Sequence, residues 1–380
     1  MQIKPDETWR IMSQALDDLT KHGVSIYLDD ISRSRLESGD LRRLVERDSV
    51  VGVTTNPSIF RKALADGEGY DRTISDLARS EFSPTDALRI LTCMDVRDAA
   101  DVLAPIHRRT DGHDGWVSLE VNPYYANDTE ATVAEATLLH WTVGRENVMI
   151  KVPATHAGIP AVTELVARGI PVNVTVIFSL TSYSQAVDAY MTGLERAHQQ
   201  GLDTRKIRSV ASFYLARIDD AIDRELDTVD APAAGALRGK VALAHARLAH
   251  RAYDDLHNGE RWRTLSAGIP GLAPQRLLWA STSTKDDRYS DTRYVTQLAV
   301  PGSINTMPES TLHAVSDHGV IPVSPLGSDP DSAQQIMRDL QALGISFDKA
   351  ARQLETQAVT GFQHAWRGIL DVLASRLAAR

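Results

Sequence analysis

The chain contains 380 residues, of which 43% are hydrophobic and 24% are charged, and its formal net charge is −9 at pH 7. This composition excludes disordered and collagen-like chains, and the length suits one large domain or two medium ones. The acidic balance gives no electrostatic reason to expect a nucleic acid or an anionic membrane as a partner. A single cysteine, Cys93, excludes internal disulfides and cysteine-rich metal sites, and we expect it to lie in the core.

Hydrophobic periodicity divides the chain into alternating helices and strands. Strands are predicted over 24–30, 50–56, 116–121, 147–152, 170–176, 207–214, 276–281 and 296–300. Helices are predicted over 7–21, 41–45, 70–107 with a break at Ser83-Pro84, 129–143, 159–168, 180–198, 231–253, 334–343 and 347–377. No apolar run reaches the length of a signal core or a membrane span, so we expect a cytoplasmic protein.

This order of elements predicts a parallel α/β fold, because most of the strands are apolar throughout and are followed by helices. Eight strands favour a closed (β/α)₈ TIM barrel, with an N-terminal helix and a long C-terminal helix, over an open doubly wound sheet. No glycine-rich nucleotide-binding loop follows the first strand. Residues 219–271 exceed a simple crossover and are interpreted as a helical insertion in a single domain.

In such a barrel, the active site lies at the carboxyl ends of the strands. The polar residues there are Asp29, Asp30, Thr55, Asn56, Glu120, Asn122, Lys151, Asn173, Thr175, Ser212 and Ser281. A carboxylate in such a place often only caps the next helix. Position alone therefore does not assign a catalytic role to any one of them.

Lys151 differs from the other seven lysines, which lie in polar surroundings, because it is flanked by Ile150 and Val152. One interpretation is a strand-end lysine whose amine extends to solvent. The other is a buried amine, whose pKa burial would lower, acting as a nucleophile toward a carbonyl. The apolar flanks favour the nucleophile.

Eight short motifs occur in the order in which they are found in transaldolases, and they span residues 24–315. They are Leu28-Asp-Asp30, Gly52-Val-Thr-Thr-Asn-Pro-Ser58, Ser118-Leu-Glu-Val121, Ile150-Lys-Val-Pro-Ala-Thr155, Asn173-Val-Thr175, Ser209-Val-Ala-Ser-Phe213, Trp279-Ala-Ser281 and Asn305-Thr-Met-Pro308. The Thr-Thr-Asn-Pro and Ile-Lys-Val-Pro-Ala-Thr motifs are specific in combination. The chain therefore resembles the transaldolase family, and its length resembles the longer bacterial members.

The resemblance implies a role for each matching residue. Lys151 matches the Schiff-base lysine that attacks the C2 carbonyl of a ketose phosphate, and Asp29 matches the acid/base that acts as the C3–C4 bond breaks. Glu120 and Thr175 match the pair that holds a water and relays protons. The positions that match substrate-binding groups are Asn56, Asn173, Ser212, Ser281 and, for the phosphate, Arg217. Asp29 is preferred to Asp30 because alternation along a strand places only one of the two inside the barrel.

Three positions depart from the family pattern. Ser283 stands where a second basic residue is often found, and Lys285 is expected to supply that charge to the phosphate. Tyr214 stands where transaldolases usually carry phenylalanine and fructose-6-phosphate aldolases carry tyrosine. Glu120, by contrast, stands where those aldolases carry glutamine. The carboxylate is weighted more heavily, while the Tyr214 hydroxyl could position a water that releases free dihydroxyacetone.

The resemblance implies a transaldolase of the pentose phosphate pathway. It would transfer dihydroxyacetone from sedoheptulose 7-phosphate or fructose 6-phosphate to an aldose phosphate, without a metal or other cofactor, as a monomer or a homodimer. One alternative is a fructose-6-phosphate-aldolase-like or specialised relative with another acceptor. A barrel that only binds sugar phosphates is a second alternative. A metal-dependent sugar-phosphate isomerase is a third, although the twelve histidines form no H-E-x-x-H motif.

Overall fold

The computed structural model describes residues 13–379 except 68, 270, 325 and 327–329. Within these residues the chain forms a closed barrel of eight parallel strands, and strands consecutive in sequence are neighbours in the barrel. The strands are β1 Ser25–Leu28, β2 Val50–Thr54, β3 Val117–Glu120, β4 Val148–Pro153, β5 Val172–Ile177, β6 Ser209–Tyr214, β7 Arg276–Ala280 and β8 Ile304–Met307. The predicted (β/α)₈ TIM barrel is confirmed.

Helices surround the barrel and cover its ends. Those in the described residues are α1 Gln14–Lys21, α2 Arg33–Glu37, α3 Asp40–Arg47, α4 Pro57–Asp66, α5 Asp71–Arg79, α6 Pro84–Arg109, α7 Thr129–Val143, α8 Gly158–Ala167, α9 Leu180–Gln199, α10 Ala216–Leu226, α11 Pro232–Leu237, α12 Val241–His257, α13 Glu260–Gly268, α14 Arg293–Thr296, α15 Glu309–His318, α16 Pro330–Ala342 and α17 Phe347–Ala378. None of these described helices is long and apolar enough to cross a membrane. Cys93 is buried in α6, as predicted.

The predicted terminal helices and most of the predicted strands agree with the structure where it describes them. The long C-terminal helix predicted over 347–377 is confirmed as α17. At the N-terminus, residues 7–12 of the predicted helix lie outside the described residues, and α1 accounts for the remainder. Seven predicted strands overlap β1 to β7, because each contains an apolar or β-branched run that is buried between the barrel interior and the helices.

The eighth predicted strand, 296–300, is wrong. That segment follows the short helix α14 and buries Leu298 without joining the sheet, and the true strand is β8. The pattern of β8 is concealed by Asn305 and Thr306, which are polar yet almost fully buried. Each forms a tertiary hydrogen bond: Asn305 Nδ2 donates to the Tyr294 carbonyl at 2.9 Å, and Thr306 Oγ1 lies 2.6 Å from Thr54 Oγ1.

The long segment between β6 and β7 contains the four helices α10 to α13. The single helix predicted over 231–253 is in fact two, α11 and α12, which meet at Gly239. Gly239 has φ +64°, and a Cβ there would lie 2.6 Å from the Tyr289 ring. A side chain from another part of the chain therefore requires glycine at this interruption of the helix.

The amino-terminal end of the barrel is closed by Arg276, which lies at the start of β7. Its guanidinium donates to the Gly302 and His113 carbonyls at 2.8 and 2.7 Å and to Ser25 Oγ at 2.7 Å. In the next layer, the Tyr27 ring fills the space beside Gly52. Arg276 and Tyr27 therefore fill the amino-terminal end of the barrel interior.

Gly52→Ala is expected to destabilise the barrel by about 2–4 kcal/mol, because the new Cβ would lie 2.4 Å from a Tyr27 ring that is only 1% exposed. Thermal unfolding measures the change, and adding Tyr27→Leu should recover part of it. Gly235→Ala is the control, since nothing lies within 4 Å of its Cβ position. Equal unfolding temperatures for Gly52→Ala and the control would contradict the packing argument.

Candidate active site

The register of the central strands places three of the predicted site residues side by side. Glu120 of β3 is paired with Lys151 of β4, and Lys151 is paired with Asn173 of β5. Residues paired in a parallel sheet share a face, and here that face is the barrel interior. All three side chains are buried.

The amine of Lys151 lies inside the barrel with two oxygen neighbours. Its Nζ donates to the Thr55 carbonyl at 2.8 Å and lies 3.6 Å from Glu120 Oε2. Only 4% of the residue is exposed, so the interpretation of a lysine extending to solvent is wrong. The other interpretation, a buried amine, agrees with the structure, and this amine lies at ion-pair distance from a carboxylate.

The pKa of Lys151 is raised in the structure, whereas the sequence predicts that it is lowered. Burial alone would lower the pKa of Lys151, as predicted, but Glu120, Tyr214 and Asp29 together hold it above its ordinary value. Burial raises the pKa of Glu120 to about 7, although Lys151 opposes this, and it also raises the pKa of Asp29. The site thus contains a protonated amine beside a carboxyl group that takes up or releases a proton near neutral pH.

Asp29 and Asp30 face in different directions at the end of β1. Asp29 Oδ1 accepts a hydrogen bond from Thr54 Oγ1 at 2.7 Å and lines the cavity described below. Asp30 Oδ2 accepts from Arg35 of α2 at 3.1 Å. The prediction that only one of the two would face the barrel interior is confirmed.

Two predicted amides have unequal access to the cavity. Asn173 is fully buried; its Nδ2 donates to Ser118 Oγ at 3.1 Å, and its Oδ1 accepts from Ser212 Oγ at 2.6 Å. Asn56 caps α4 by accepting from the Ile59 N–H at 3.1 Å, and it also lines the cavity. The structure therefore places Asn173 behind Ser212 rather than at the cavity surface.

Thr175 and Tyr214 are joined across β5 and β6. Thr175 Oγ1 donates to the Tyr214 hydroxyl at 3.2 Å, and the Tyr214 ring contacts Phe178 edge to face. Directly after Thr175 the pairing shifts register, and Val176 has φ +62°, an unusual conformation for a β-branched residue. Such a bulge redirects neighbouring side chains and is typical of functional sites.

A cavity of about 180 Å³ opens at the carboxyl end of the strands. Nine of the eleven predicted site residues line it, namely Asp29, Asn56, Lys151, Thr175, Ser212, Tyr214, Arg217, Ser281 and Lys285. The other two, Glu120 and Asn173, lie behind this surface. The cavity thus has carboxylate and amine groups at its base and the cations Arg217 and Lys285 in its wall.

Sequence reasoning missed several residues of the cavity wall and its support. Thr54 and Ser118 lie two positions before Asn56 and Glu120, so strand alternation would have found them. Phe362 of α17 also lines the cavity, and no sequence signal indicates this. Its helix lies against the carboxyl end of the barrel, where Gln363 Nε2 donates to the Pro123 carbonyl at 3.2 Å.

Two larger cavities lie away from this cluster. One of about 590 Å³ lies at the amino-terminal ends of β1 and β2 and is lined by apolar residues with Arg42 and Arg109. The other, of about 510 Å³, lies between α9, α12 and α17 and is lined by His245. Neither contains the buried amine and carboxylates, and the active sites of this fold are built from residues at the carboxyl ends of several strands. Among the described residues, no three His, Cys, Asp or Glu side chains are grouped so as to hold a metal ion.

Comparison with known proteins identifies the family of this chain. The family model described as transaldolase/fructose-6-phosphate aldolase matches residues 26–373. A Streptomyces avermitilis protein named transaldolase 2 is 49% identical over 366 residues, covering 96% of this chain and 98% of its own. A Thermobifida fusca protein named transaldolase is 48% identical over 368 residues, covering 97% and 100%. The chain therefore belongs to the transaldolase/fructose-6-phosphate aldolase family of enzymes.

Proposed function

We propose that this enzyme is a transaldolase that moves a dihydroxyacetone unit from a ketose phosphate, fructose 6-phosphate or sedoheptulose 7-phosphate, to an aldose phosphate. Such an exchange is a reaction of the pentose phosphate pathway. The observation that carries the proposal is the buried Lys151 amine, 3.6 Å from Glu120, at the base of a cavity that also presents Arg217 and Lys285. Binding a sugar phosphate alone requires neither a buried amine nor a proton acceptor beside it.

The first step is formation of an imine. Lys151 transfers a proton to Glu120, whose pKa of about 7 suits it to accept one, and the free amine attacks C2 of the ketose. The resulting carbinolamine loses its hydroxyl as water after protonation, leaving a protonated imine. Glu120 and Thr175 are assigned to this relay of protons through a bound water.

The second step breaks the C3–C4 bond. Asp29 accepts the proton of the C4 hydroxyl, and the electrons of the C3–C4 bond move toward the protonated imine as the aldose phosphate leaves. The dihydroxyacetone unit remains on Lys151 as an enamine. The acceptor aldehyde then forms a new C–C bond, Asp29 returns its proton to the new hydroxyl, and hydrolysis of the imine restores the amine.

The remaining residues are assigned to substrate binding. Asn56 and Ser212 hold the dihydroxyacetone hydroxyls, and Asn173 orients Ser212 through their 2.6 Å hydrogen bond. Arg217, Lys285 and Ser281 bind the phosphate at the other end of the cavity. Lys285 supplies the second positive charge in place of Ser283.

Borohydride reduction in the presence of fructose 6-phosphate, followed by peptide mass mapping, tests the proposal. We expect a reduced dihydroxyacetone adduct on Lys151 and no other lysine. Folded protein that yields no adduct, but that is stabilised against heat by fructose 6-phosphate, would instead support a barrel that only binds sugar phosphates.

Release of free dihydroxyacetone is the second candidate activity, and the Tyr214 hydroxyl favours it. This hydroxyl lies in the cavity wall, held by Thr175, where it can position a water for hydrolysis of the imine. Tyr214→Phe is expected to lower dihydroxyacetone release from fructose 6-phosphate about tenfold while changing transfer to an aldose phosphate less than threefold. Tyr124→Phe, which alters an exposed tyrosine, is the control. An unchanged ratio of release to transfer in Tyr214→Phe would remove this role.

A further inference from the structure

The helix that carries Arg217 also carries two buried aspartates outside the catalytic cluster. Asp219 and Asp223 of α10 are 1% and 4% exposed, respectively. Because they are four residues apart on a helix, they lie on the same face, one turn from each other. The face they share meets both residues 239–242, at the start of α12, and the chain that follows β7.

Each aspartate binds two different parts of the chain. One oxygen of Asp219 accepts from the Ala242 N–H at 2.8 Å and the other from the Tyr294 hydroxyl at 2.6 Å. Likewise, Asp223 accepts from the Gly239 N–H at 3.0 Å and from the Tyr289 hydroxyl at 2.5 Å. One oxygen thus holds the insertion, and the other holds a tyrosine from the segment after β7.

A further contact joins the insertion directly to that segment. Arg293 donates to the Gly239 carbonyl, and its guanidinium lies 4.4 Å from the Tyr289 ring centre and 5.1 Å from that of Tyr294. Residues 281–292 connect β7 to α14 and are called the β7–α14 loop below. This loop contains Ser281 and Lys285, and its carboxyl end, from Tyr289 to Arg293, is therefore tied to α10 and to Gly239 before α12.

Two residues of the β7–α14 loop that are assigned to phosphate binding, Ser281 and Lys285, require a backbone that is held in place. Ser281 has φ +53°, an unfavourable conformation for a residue with a side chain. Lys285 is exposed and forms no ion pair with any residue that the structure describes. A long side chain of this kind loses conformational entropy on binding a ligand, and a backbone that is already held in place reduces that loss.

We propose that Asp219 and Asp223 are positioning residues within the helical insertion that hold the β7–α14 loop against α10 and α12, so that Ser281 and Lys285 meet the substrate phosphate opposite Arg217. The inference rests on the proposed function, because it takes Arg217 and Lys285 as the phosphate-binding groups. It also assigns a purpose to helices α11 and α12, which contribute no residue to the cavity wall.

Tyr289→Phe removes one hydroxyl and leaves the ring in place. We expect KM for fructose 6-phosphate to rise about three- to tenfold, with kcat changed less than twofold, because one hydrogen bond to a charged group is lost at a distance from the reacting atoms. Binding of inorganic phosphate, measured by titration calorimetry, should weaken by the same factor. Borohydride trapping of unphosphorylated dihydroxyacetone on Lys151 should not change.

Substitutions at Asp223 provide a graded test. Asp223→Ala should raise KM at least as much as Tyr289→Phe does, whereas Asp223→Asn should recover part of the loss, because its amide oxygen still accepts from Gly239. Asp220→Ala is the matched control: Asp220 lies on the same helix and, within the described part of the chain, forms an ion pair with Arg224 alone, a surface contact of 3.1 Å. It should leave KM and phosphate binding unchanged.

Three results would overturn the inference: unchanged KM and phosphate binding in Tyr289→Phe, a fall in kcat and imine trapping at constant KM, or an equal effect from Asp220→Ala. Failure of the proposed function gives a different result. In that case the unmodified enzyme itself forms no imine with fructose 6-phosphate, while the calorimetric comparison of phosphate binding still tests the loop.

Discussion

Lys151→Met is expected to lower kcat for dihydroxyacetone transfer by at least about 10⁴-fold, the scale on which loss of a covalent nucleophile acts. Methionine retains the length of the side chain but offers no amine, so the electrons of the C3–C4 bond have no protonated imine to receive them. The borohydride adduct should disappear as well. Transfer rates and peptide mass mapping measure the two effects.

The fold should survive this change, because methionine is apolar and fits a site that is only 4% exposed. Lys62→Met, at an exposed position of α4, is the control for a lysine removed elsewhere. Residual transfer above one per cent in a folded Lys151→Met variant would mean that another group supplies the electron sink.

Glu120→Gln is expected to lower kcat roughly 10²- to 10³-fold, in the range of general acid–base effects, and to remove a pH dependence. Imine formation needs the ionised carboxylate to accept the Lys151 proton. In the unmodified enzyme, kcat/KM should therefore rise with pH through the Glu120 pKa of about 7. The glutamine variant should lack this inflection, and rate measurements from pH 5.5 to 8.5 test it.

Glu120→Gln, which should lower activity, should at the same time raise the stability of the fold above neutral pH. The pKa of Glu120 is raised on folding from 4.5 to about 7, so the stability contributed by its protonated form is complete below pH 4.5 and is lost as pH rises through 7. Glu120→Gln should therefore stabilise the protein on the order of 2 kcal/mol at pH 8 and little at pH 5. A variant less stable than the unmodified protein at pH 8 would contradict this sign.

Much of the barrel was predictable because local pattern and tertiary environment agree. Strands β1 to β7 each contain an apolar run, and a strand buried on both sides requires one. The polar residues that end these strands could be placed together for the same reason, since a closed parallel barrel brings all carboxyl ends to one face. The choice of Asp29 over Asp30 followed from strand alternation alone.

The two wrong predictions, strand β8 and the helix over 231–253, have a common physical cause. Strand β8 was missed because the hydrogen-bond partners of Asn305 and Thr306 come from α14 and β2. Between α11 and α12, glycine is required at position 239 by Tyr289, about 50 residues further along the chain. In both cases the deciding contact joins segments that are distant in sequence, and a local pattern contains no information about it.

The sequence by itself determined the fold class, the strand ends that carry the chemistry, and Lys151 as the candidate nucleophile, because these depend on residue type, periodicity and order. Only the tertiary structure decided that Glu120 and Asn173 lie behind the cavity surface, that Phe362 of α17 completes its wall, and that the insertion holds the β7–α14 loop. The tertiary structure also decided the direction in which the pKa of Lys151 is shifted. Burial and nearby charges act in opposite directions on the pKa of Lys151, and only the positions of Glu120 and Asp29 determine which prevails.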